Sequence, residues 1–378
     1  MFFRGDLMKK LKLLFRIGYV YHKAAFDPLI ELLLQNPRYD VWFSLDMERK
    51  RYGFIDLPFR SHIIAEWQNQ GYRFTKETAG FEIVITGDTL RNSSAYGDVL
   101  LCFLNHGTGI KSILYRNLAK VPNDKYQIFV EGQHRINRLQ ESGRLGQNEV
   151  HLIGLPKLDY YFQGRYKDKE SLLSSMGLDT RKQTVLFAPT YKPTCLYQVR
   201  DDIFEQTLDY NLIIKLHPYS WMGKYAPHRQ HRIFERRIKR HPHAILLPFD
   251  AYNILPYYAV ADTLISEASS TIFDFIALNK FGIIFDLPCD RLQHSDGEPL
   301  LEVDNRIFLD GAFPHINSGK QIADAIRQAL HPTDSMKQKA AEYRKILFYE
   351  LDGHASQRFI EKMEMLYYAG GHLNHPSK

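Results

Sequence analysis

The chain is poor in cysteine and has no cysteine pattern. Cys102, Cys195 and Cys289 stand far apart, with no CxxC among them. An odd, scattered set argues against a disulfide framework and for a reducing compartment. Long apolar runs are missing too. No stretch approaches the roughly 18 apolar residues of a spanning helix. The opening MFFRGDLMKKLKLLFRIGYVYHK is too broken by charge for a signal peptide, and its apolar part reads as a first buried strand. No GxSxG elbow, Walker A loop or GxGxxG fingerprint occurs, which weighs against hydrolase, kinase and nicotinamide chemistry. Histidine is plentiful, at 16, yet His228/His231 and His241/His243 lack the cysteine or carboxylate set that would complete a metal site. No metal and no cofactor is expected. Repeats of solenoid period and low-complexity tracts are absent as well.

What is present fits an ordinary globular protein. With 378 residues, 44% hydrophobic and 24% charged, the chain is too long for one core and suits two domains. Lys and Arg number 49 against 43 Asp and Glu, a net charge of +6. That excess favours anionic partners such as nucleotides, phosphopolymers or an acidic membrane surface. The densest basic stretch is RQHRIFERRIKR, 229–240. Ile233, Phe234 and Ile238 would give a helix there one greasy edge. Either an exposed solvated helix or one lying on an anionic membrane fits. Nucleic acid is not expected, because no recognised binding motif accompanies the charge.

Short, nearly continuous apolar segments alternate with helical patterns in two sets. The first set holds strands at 11–20, 39–45, 81–87, 98–104, 126–132 and 150–154, with helices at 24–35 and 133–143. The second holds strands at 183–189, 211–218, 243–249, 262–266 and 281–288. Such a pattern signals parallel sheets covered on both faces, so the fold class is α/β with two doubly wound, Rossmann-like domains. The expected domains are 1–165 and 170–350, divided in the polar stretch 164–183. The last helices, 334–348 and 355–368, are expected to pack across, with 355–378 returning to the first domain. In open sheets of this kind ligands bind beyond the carboxyl ends of the strands.

Five segments sit there. Asn105-His106-Gly107-Thr108-Gly109-Ile110-Lys111 follows the strand at 98–104. Its glycines allow close backbone approach, and His106 is a candidate base or a turn histidine bonded to backbone. Lys111 is a phosphate contact or a solvated lysine. Lys215-Leu216-His217-Pro218 ends another strand, with Pro218 fixing the turn. Strand, polar turn and helix follow one another at Asp262 to Asp274. There Ser269, Ser270 and Thr271 stand at a helix start, where unpaired N–H groups and the helix dipole suit a phosphate; simple N-capping is the alternative. Glu267 would hold a ribose hydroxyl or orient the loop. Thr190 and Lys192 in Ala188-Pro189-Thr190-Tyr191-Lys192 are placed for an anion. In Asp352-Gly353-His354-Ala355-Ser356-Gln357-Arg358, Asp352 reads as an N-cap, with Ser356 and Arg358 one turn in.

Together these segments resemble the CDP-glycerol glycerophosphotransferase family of teichoic-acid primases and polymerases. The family motifs WHGTPLK, G-P-x-x-D, APT(W/Y), KLHP, LITDYSS-x-x-FD and DGKAS-x-R appear in the same order. Here they read NHGTGIK (105–111), GLPKLD (154–159), APTYK (188–192), KLHP (215–218), LISEASSTIFD (264–274) and DGHASQR (352–358). The departures are Asn105, Gly109, Ser266-Glu267-Ala268 and the missing arginine-glycine segment around CDRLQHSDGEPLLEVDN. The resemblance implies a GT-B fold, a CDP-linked donor and a phosphopolymer, glycan or lipid-linked acceptor. It further implies work in the cytoplasm or at the inner face of the membrane. His106 and His217 would then flank the reacting phosphate, His106 as base, while Ser269, Ser270 and Thr271 cradle the donor pyrophosphate. Gly107, Lys111, Thr190, Lys192, Glu267, Ser356 and Arg358 complete the expected donor set. A GT-B sugar enzyme, either a glycosyltransferase or a UDP-sugar 2-epimerase, shares the architecture, and so does a non-catalytic nucleotide sensor.

Overall fold

The structure is a computed structural model. It describes residues 10–18, 20–45, 51–52, 55–56, 59–108, 113–221, 229–267, 269–288 and 309–370. The chain divides into two compact units. Unit 1 comprises Met1–His106, Tyr115–Asp159 and Asp352–Lys378; unit 2 comprises Gly107–Leu114 and Tyr160–Leu351. The main crossing falls at Asp159/Tyr160, before the polar stretch 164–183. That stretch carries a short helix of unit 2, Lys169–Ser175, which Asp168 caps through the Ser171 N–H at 2.8 Å.

Unit 1 is built on a six-stranded parallel sheet. Its strands are β1 (Leu11–Ile17), β2 (Tyr39–Leu45), β5 (Ile83–Thr86), β6 (Leu100–Leu104), β7 (Tyr126–Val130) and β8 (Glu149–Leu152), and β3 (Arg51–Tyr52) and β4 (Ile55–Asp56) form a separate antiparallel pair. The order is β2-β1-β5-β6-β7-β8. Burial follows position. Central β5 and β6 are buried along their whole length and read as unbroken apolar runs, whereas edge strand β2 alternates buried and half-buried residues. Helix Val20–Gln35 follows β1 and packs against the C-terminal helix Ala355–Ala369. Phe359 of that last helix meets Phe129 of β7 with ring centroids 4.4 Å apart. Glu364 on the same helix takes hydrogen bonds from Arg38 and Tyr39 at the head of β2.

Unit 2 has β9 (Thr184–Phe187), β10 (Asn211–Ile214), β11 (Ala244–Leu246), β12 (Thr263–Ser266), β13 (Phe281–Phe285) and β14 (His315–Ile316). All pairings are parallel and the order is β11-β10-β9-β12-β13-β14. The sheet therefore reverses direction between β9 and β12, its first and fourth strands. A crevice beyond the carboxyl ends of two such strands is where doubly wound sheets hold ligands. Asp262 locks the start of this pair. Its carboxylate accepts the Thr184 N–H at 2.7 Å and pairs with Lys169 at 2.8 Å. Helix Ile322–Leu330 turns Ile322, Ala325, Ile326 and Ala329 inward at helical spacing, completing the core over β12 to β14.

Helix His231–Ile238 lies in the basic stretch. Phe234 is fully buried, and Ile233 and Ile238 pack on the unit 2 core. The greasy edge expected to be available to a membrane is thus used within the fold. Arg237 pairs with Asp201, while Arg232, Arg236, Lys239 and Arg240 are exposed. Among the described residues no helix is long and apolar enough to cross a membrane, and no group of three or more His, Cys, Asp or Glu is arranged to hold a metal ion.

Candidate functional site

The first part of the site stands on unit 1. His106 follows β6, and its Nδ1 lies 3.1 Å from the carbonyl oxygen of Gly87, just past β5. A carbonyl only accepts, so Nδ1 carries the proton and Nε2 holds the lone pair of the neutral ring. Gly87 is required by close approach. A β-carbon there would meet Nδ1 of His22 and Cζ of Phe26 at 2.9 Å. Lacking one, it lets helix Val20–Gln35 press onto the end of β5. His22 then lies against His106, ring centroids 4.3 Å apart. Burial, followed by the nearby cations Lys157 and Arg135, pushes His106 down to about 4, although its bond to Gly87 pulls the other way. Burial and the neighbouring His106 hold His22 well below the usual histidine range. Burial thus favours the neutral form of both rings.

Asn105 occupies the position of the family tryptophan and is buried. Its amide donates to Glu131 at 2.7 Å, and Glu131 accepts from Arg135 at 3.1 Å. Arg135 in turn donates to the Tyr115 hydroxyl at 2.9 Å. The substitution is absorbed into a connected buried network, which is the condition under which buried polar groups are tolerated.

The second part stands on unit 2, at the β9/β12 reversal. Ser269 caps helix Ser270–Ala277, with its hydroxyl accepting the Thr271 N–H at 3.4 Å. Thr271 donates to Ser266 at 3.2 Å, and Ser266 to the Ala188 carbonyl at 2.6 Å. Among the described residues the Ser270 hydroxyl has no such partner. Gly107 belongs to this unit as well, and a β-carbon on it would sit 3.3 Å from Cβ of Ser270. Gly107 therefore stands against the helix start. Thr108, the next residue, is buried, and its hydroxyl has no hydrogen-bond partner among the described residues. Lys111 and Gly109 lie outside the described residues.

His217 shows the opposite tautomeric setting. Its Nδ1 accepts the Tyr219 N–H at 3.1 Å, so the neutral ring carries its proton on Nε2. Tyr191 and Tyr219 flank the ring, with centroids 4.7 and 5.2 Å away. Lys215, two residues earlier, is buried, and burial pushes its ammonium down to about 8.

Several expected ligand contacts have other tasks. Both oxygens of the buried Glu267 carboxylate are engaged: one accepts the Thr190 N–H at 2.7 Å, the other the Cys195 N–H at 2.7 Å and the Thr194 hydroxyl at 3.0 Å. The Glu267 carboxylate thus ties the loop after β9 to the end of β12. The Thr190 hydroxyl donates to the Pro193 carbonyl, and Lys192 is exposed. Ser356 and Arg358 belong to unit 1, where the protein uses the Ser356 N–H and the Arg358 guanidinium, while the buried Ser356 hydroxyl has no hydrogen-bond partner among the described residues. The first N–H groups of helix Ala355–Ala369, those of Ala355 and Ser356, bond the Asp159 carboxylate at 3.1 and 2.8 Å. Arg358 spans Asp352 at 2.8 and 3.0 Å and the Ile153 carbonyl at 2.8 Å. Asp352 was the expected N-cap; the stabilising carboxylate is Asp159, so the GLPKLD and DGHASQR segments form one structural clip. His22 is the residue that sequence reasoning missed, although it stands just after β1, where the rule of ligands beyond strand ends would have found it.

Comparisons with known proteins bear on the fold and the family. A teichoic acid glycerol-phosphate transferase of Staphylococcus aureus is 23% identical over 59% of this chain and 56% of its own. A teichoic acid glycerol-phosphate primase of Bacillus subtilis is 23% identical over 44% of this chain and 40% of its own. The chain spans about half the length of the curated relatives it matches. Among solved structures, the wall teichoic acid polymerase TagF, in a variant soaked with CDPG, matches at TM-score 0.68 and 13% identity over 96% of this chain and 90% of that one. A UDP-N-acetylglucosamine 2-epimerase matches at TM-score 0.54 and 14% identity over 98% and 99%. These likenesses show a GT-B-like α/β fold. The family model of CDP-glycerol:poly(glycerophosphate) glycerophosphotransferase matches residues 107–364, more than half of the chain, and the protein belongs to that family.

Proposed function

We propose that the protein transfers a glycerophosphate, or a related alditol phosphate, from a CDP-linked donor to an acceptor hydroxyl during synthesis of a cell-envelope polymer. The observation that carries the reading is the complementary setting of the two histidines. His106 offers an Nε2 lone pair and His217 an Nε2–H. An alcohol attacks phosphorus readily only when its proton can leave as the bond forms. In the proposed step the acceptor oxygen bonds to the β-phosphorus, the bond from that phosphorus to the bridging oxygen breaks, and CMP leaves. Nε2 of His106 takes the hydroxyl proton. Nε2–H of His217 donates to a phosphoryl oxygen as charge builds there. His22 keeps the base dry and fixes its ring. Ser269, Ser270 and Thr271 hold the donor phosphates at the start of their helix, with Gly107 allowing close approach. Thr190 and Glu267 serve this set by shaping the loop. On this reading unit 1 serves the acceptor and unit 2 the donor.

The acceptor is a phosphopolymer, glycan or lipid-linked chain, and the work is done in the cytoplasm, at the inner face of the membrane. The exposed Arg232, Arg236, Lys239 and Arg240 support attraction to an anionic surface through charge alone. A panel of CDP- and UDP-linked donors, scored by the nucleotide released, tests the reaction. CMP release from a CDP-alditol, dependent on acceptor, is the expected result. Release of a nucleoside diphosphate, or turnover of UDP-sugars alone, would overturn it.

A further inference from the structure

Unit 1 contains a pocket of about 360 Å³ that the transfer chemistry above does not use. It is lined by Arg16 and Gly18 at the end of β1, by Thr86 and Asp88 at the end of β5, and by residues of the 89–96 loop. Strands β1 and β5 are the pair about which the first sheet reverses direction, so the pocket occupies this unit's own topological switch point. We propose that it receives the phosphorylated polyol end of the acceptor chain, an inference that rests on the proposed function and adds the acceptor's seat.

The lining matches that chemistry in three ways. Arg16 and Arg91 supply guanidinium groups suited to a phosphate, and Arg91 is exposed with no ion pair among the described residues. Asp88 has one carboxylate oxygen held by the Thr89 N–H at 2.8 Å and the Asn117 amide at 3.0 Å. Its other oxygen has no donor among the described residues and can accept from a polyol hydroxyl. Tyr96 adds an apolar wall for the carbon chain. The volume suits a small ligand of one or two polyol-phosphate units. Position completes the argument. Thr86 lines the pocket, and the next residue, Gly87, holds Nδ1 of His106. The strand end that lines the pocket is the one whose next carbonyl orients the base.

The test is calorimetric binding to the full-length protein of glycerol 3-phosphate, glycerol and inorganic phosphate, so that it needs no turnover. Glycerol 3-phosphate should bind more tightly than either half. Arg91→Ala should weaken it by about tenfold, the usual effect of losing one charge-assisted hydrogen bond. Ala95→Trp, at an exposed position on the pocket wall, should abolish binding, and both variants should keep the affinity of the parent for CDP-glycerol. Three results would overturn the proposal: full binding by the Ala95→Trp protein, inorganic phosphate binding as tightly as glycerol 3-phosphate, or a parallel loss of CDP-glycerol affinity. An error in the donor assignment would surface in the nucleotide panel instead and leave these titrations unchanged.

Discussion

Replacing Glu267 separates a loop-holding carboxylate from a ribose ligand. In Glu267→Ala, the amides of Thr190 and Cys195 lose their acceptor while remaining buried. Each orphaned buried donor costs about 1–3 kcal/mol, so the variant should lose roughly 2–6 kcal/mol. Thr194 is only half-buried, and its hydroxyl can turn to solvent. Glu267→Gln keeps one oxygen but presents an NH₂ to the other amide, so about half the loss is expected. The pH response has a definite sign. Burial raises the Glu267 pKa, so the native state binds its proton more readily than the unfolded chain. Stability contributed here therefore falls as pH rises from the unfolded to the folded pKa, and Glu267→Gln should flatten that slope. Urea unfolding of the three proteins at several pH values measures all of this. If Gln and Ala leave stability within about 0.5 kcal/mol of the parent while donor affinity drops, the carboxylate is a ligand and the loop argument is wrong.

The low His106 pKa predicts an acid limb in kcat/KM near pH 4 instead of near 6.5. Because the unfolded chain binds this proton more readily, the stability due to neutral His106 is present above about 6.5 and lost as pH falls to about 4. That loss is on the order of 3 kcal/mol and should be missing in His106→Phe. Bound anionic donor should move the limb of kcat to higher pH. Replacing Ser269 and Ser270 together by Ala should weaken donor binding by calorimetry more than it weakens folding; unchanged affinity in a folded double variant would remove the phosphate cradle. Flotation with anionic liposomes should fall when Arg232, Arg236 and Arg240 become Gln, whereas no lipid dependence in the parent would leave those residues as a solvated face.

The strands were legible because parallel sheets covered on both faces demand unbroken apolar runs, as at Leu100–Leu104 and Thr184–Phe187. Composition places the division of the chain in 164–183, whereas the main crossing between the units falls at Asp159/Tyr160. The stretch 164–183 looks like a linker by composition, but its leucines and an Asp168 cap make a helix of unit 2. Apart from DGHASQR, which opens helix Ala355–Ala369, the motifs mark strand ends, while the partners of their side chains are not readable from sequence. The role of Glu267 depends on β9 and β12 being neighbours, which chain order, first and fourth in the unit, does not disclose. The Ser356 N–H and part of the Arg358 guanidinium read as open to an anion because Asp159 and Ile153, which they bond, lie about two hundred residues earlier in the sequence. The basic helix was read as amphipathic, and it is; its apolar edge faces the core, the commoner fate of such an edge.

The reading turns on His106 as the base. The direct measurement is the rate of CMP release from CDP-glycerol, with acceptor present, by the parent and by His106→Ala. A positioned base contributes about 10²–10⁴-fold, so the variant should be slower by that factor, with donor affinity unchanged by calorimetry. A folded His106→Ala protein that releases CMP at close to the parent rate would contradict the account.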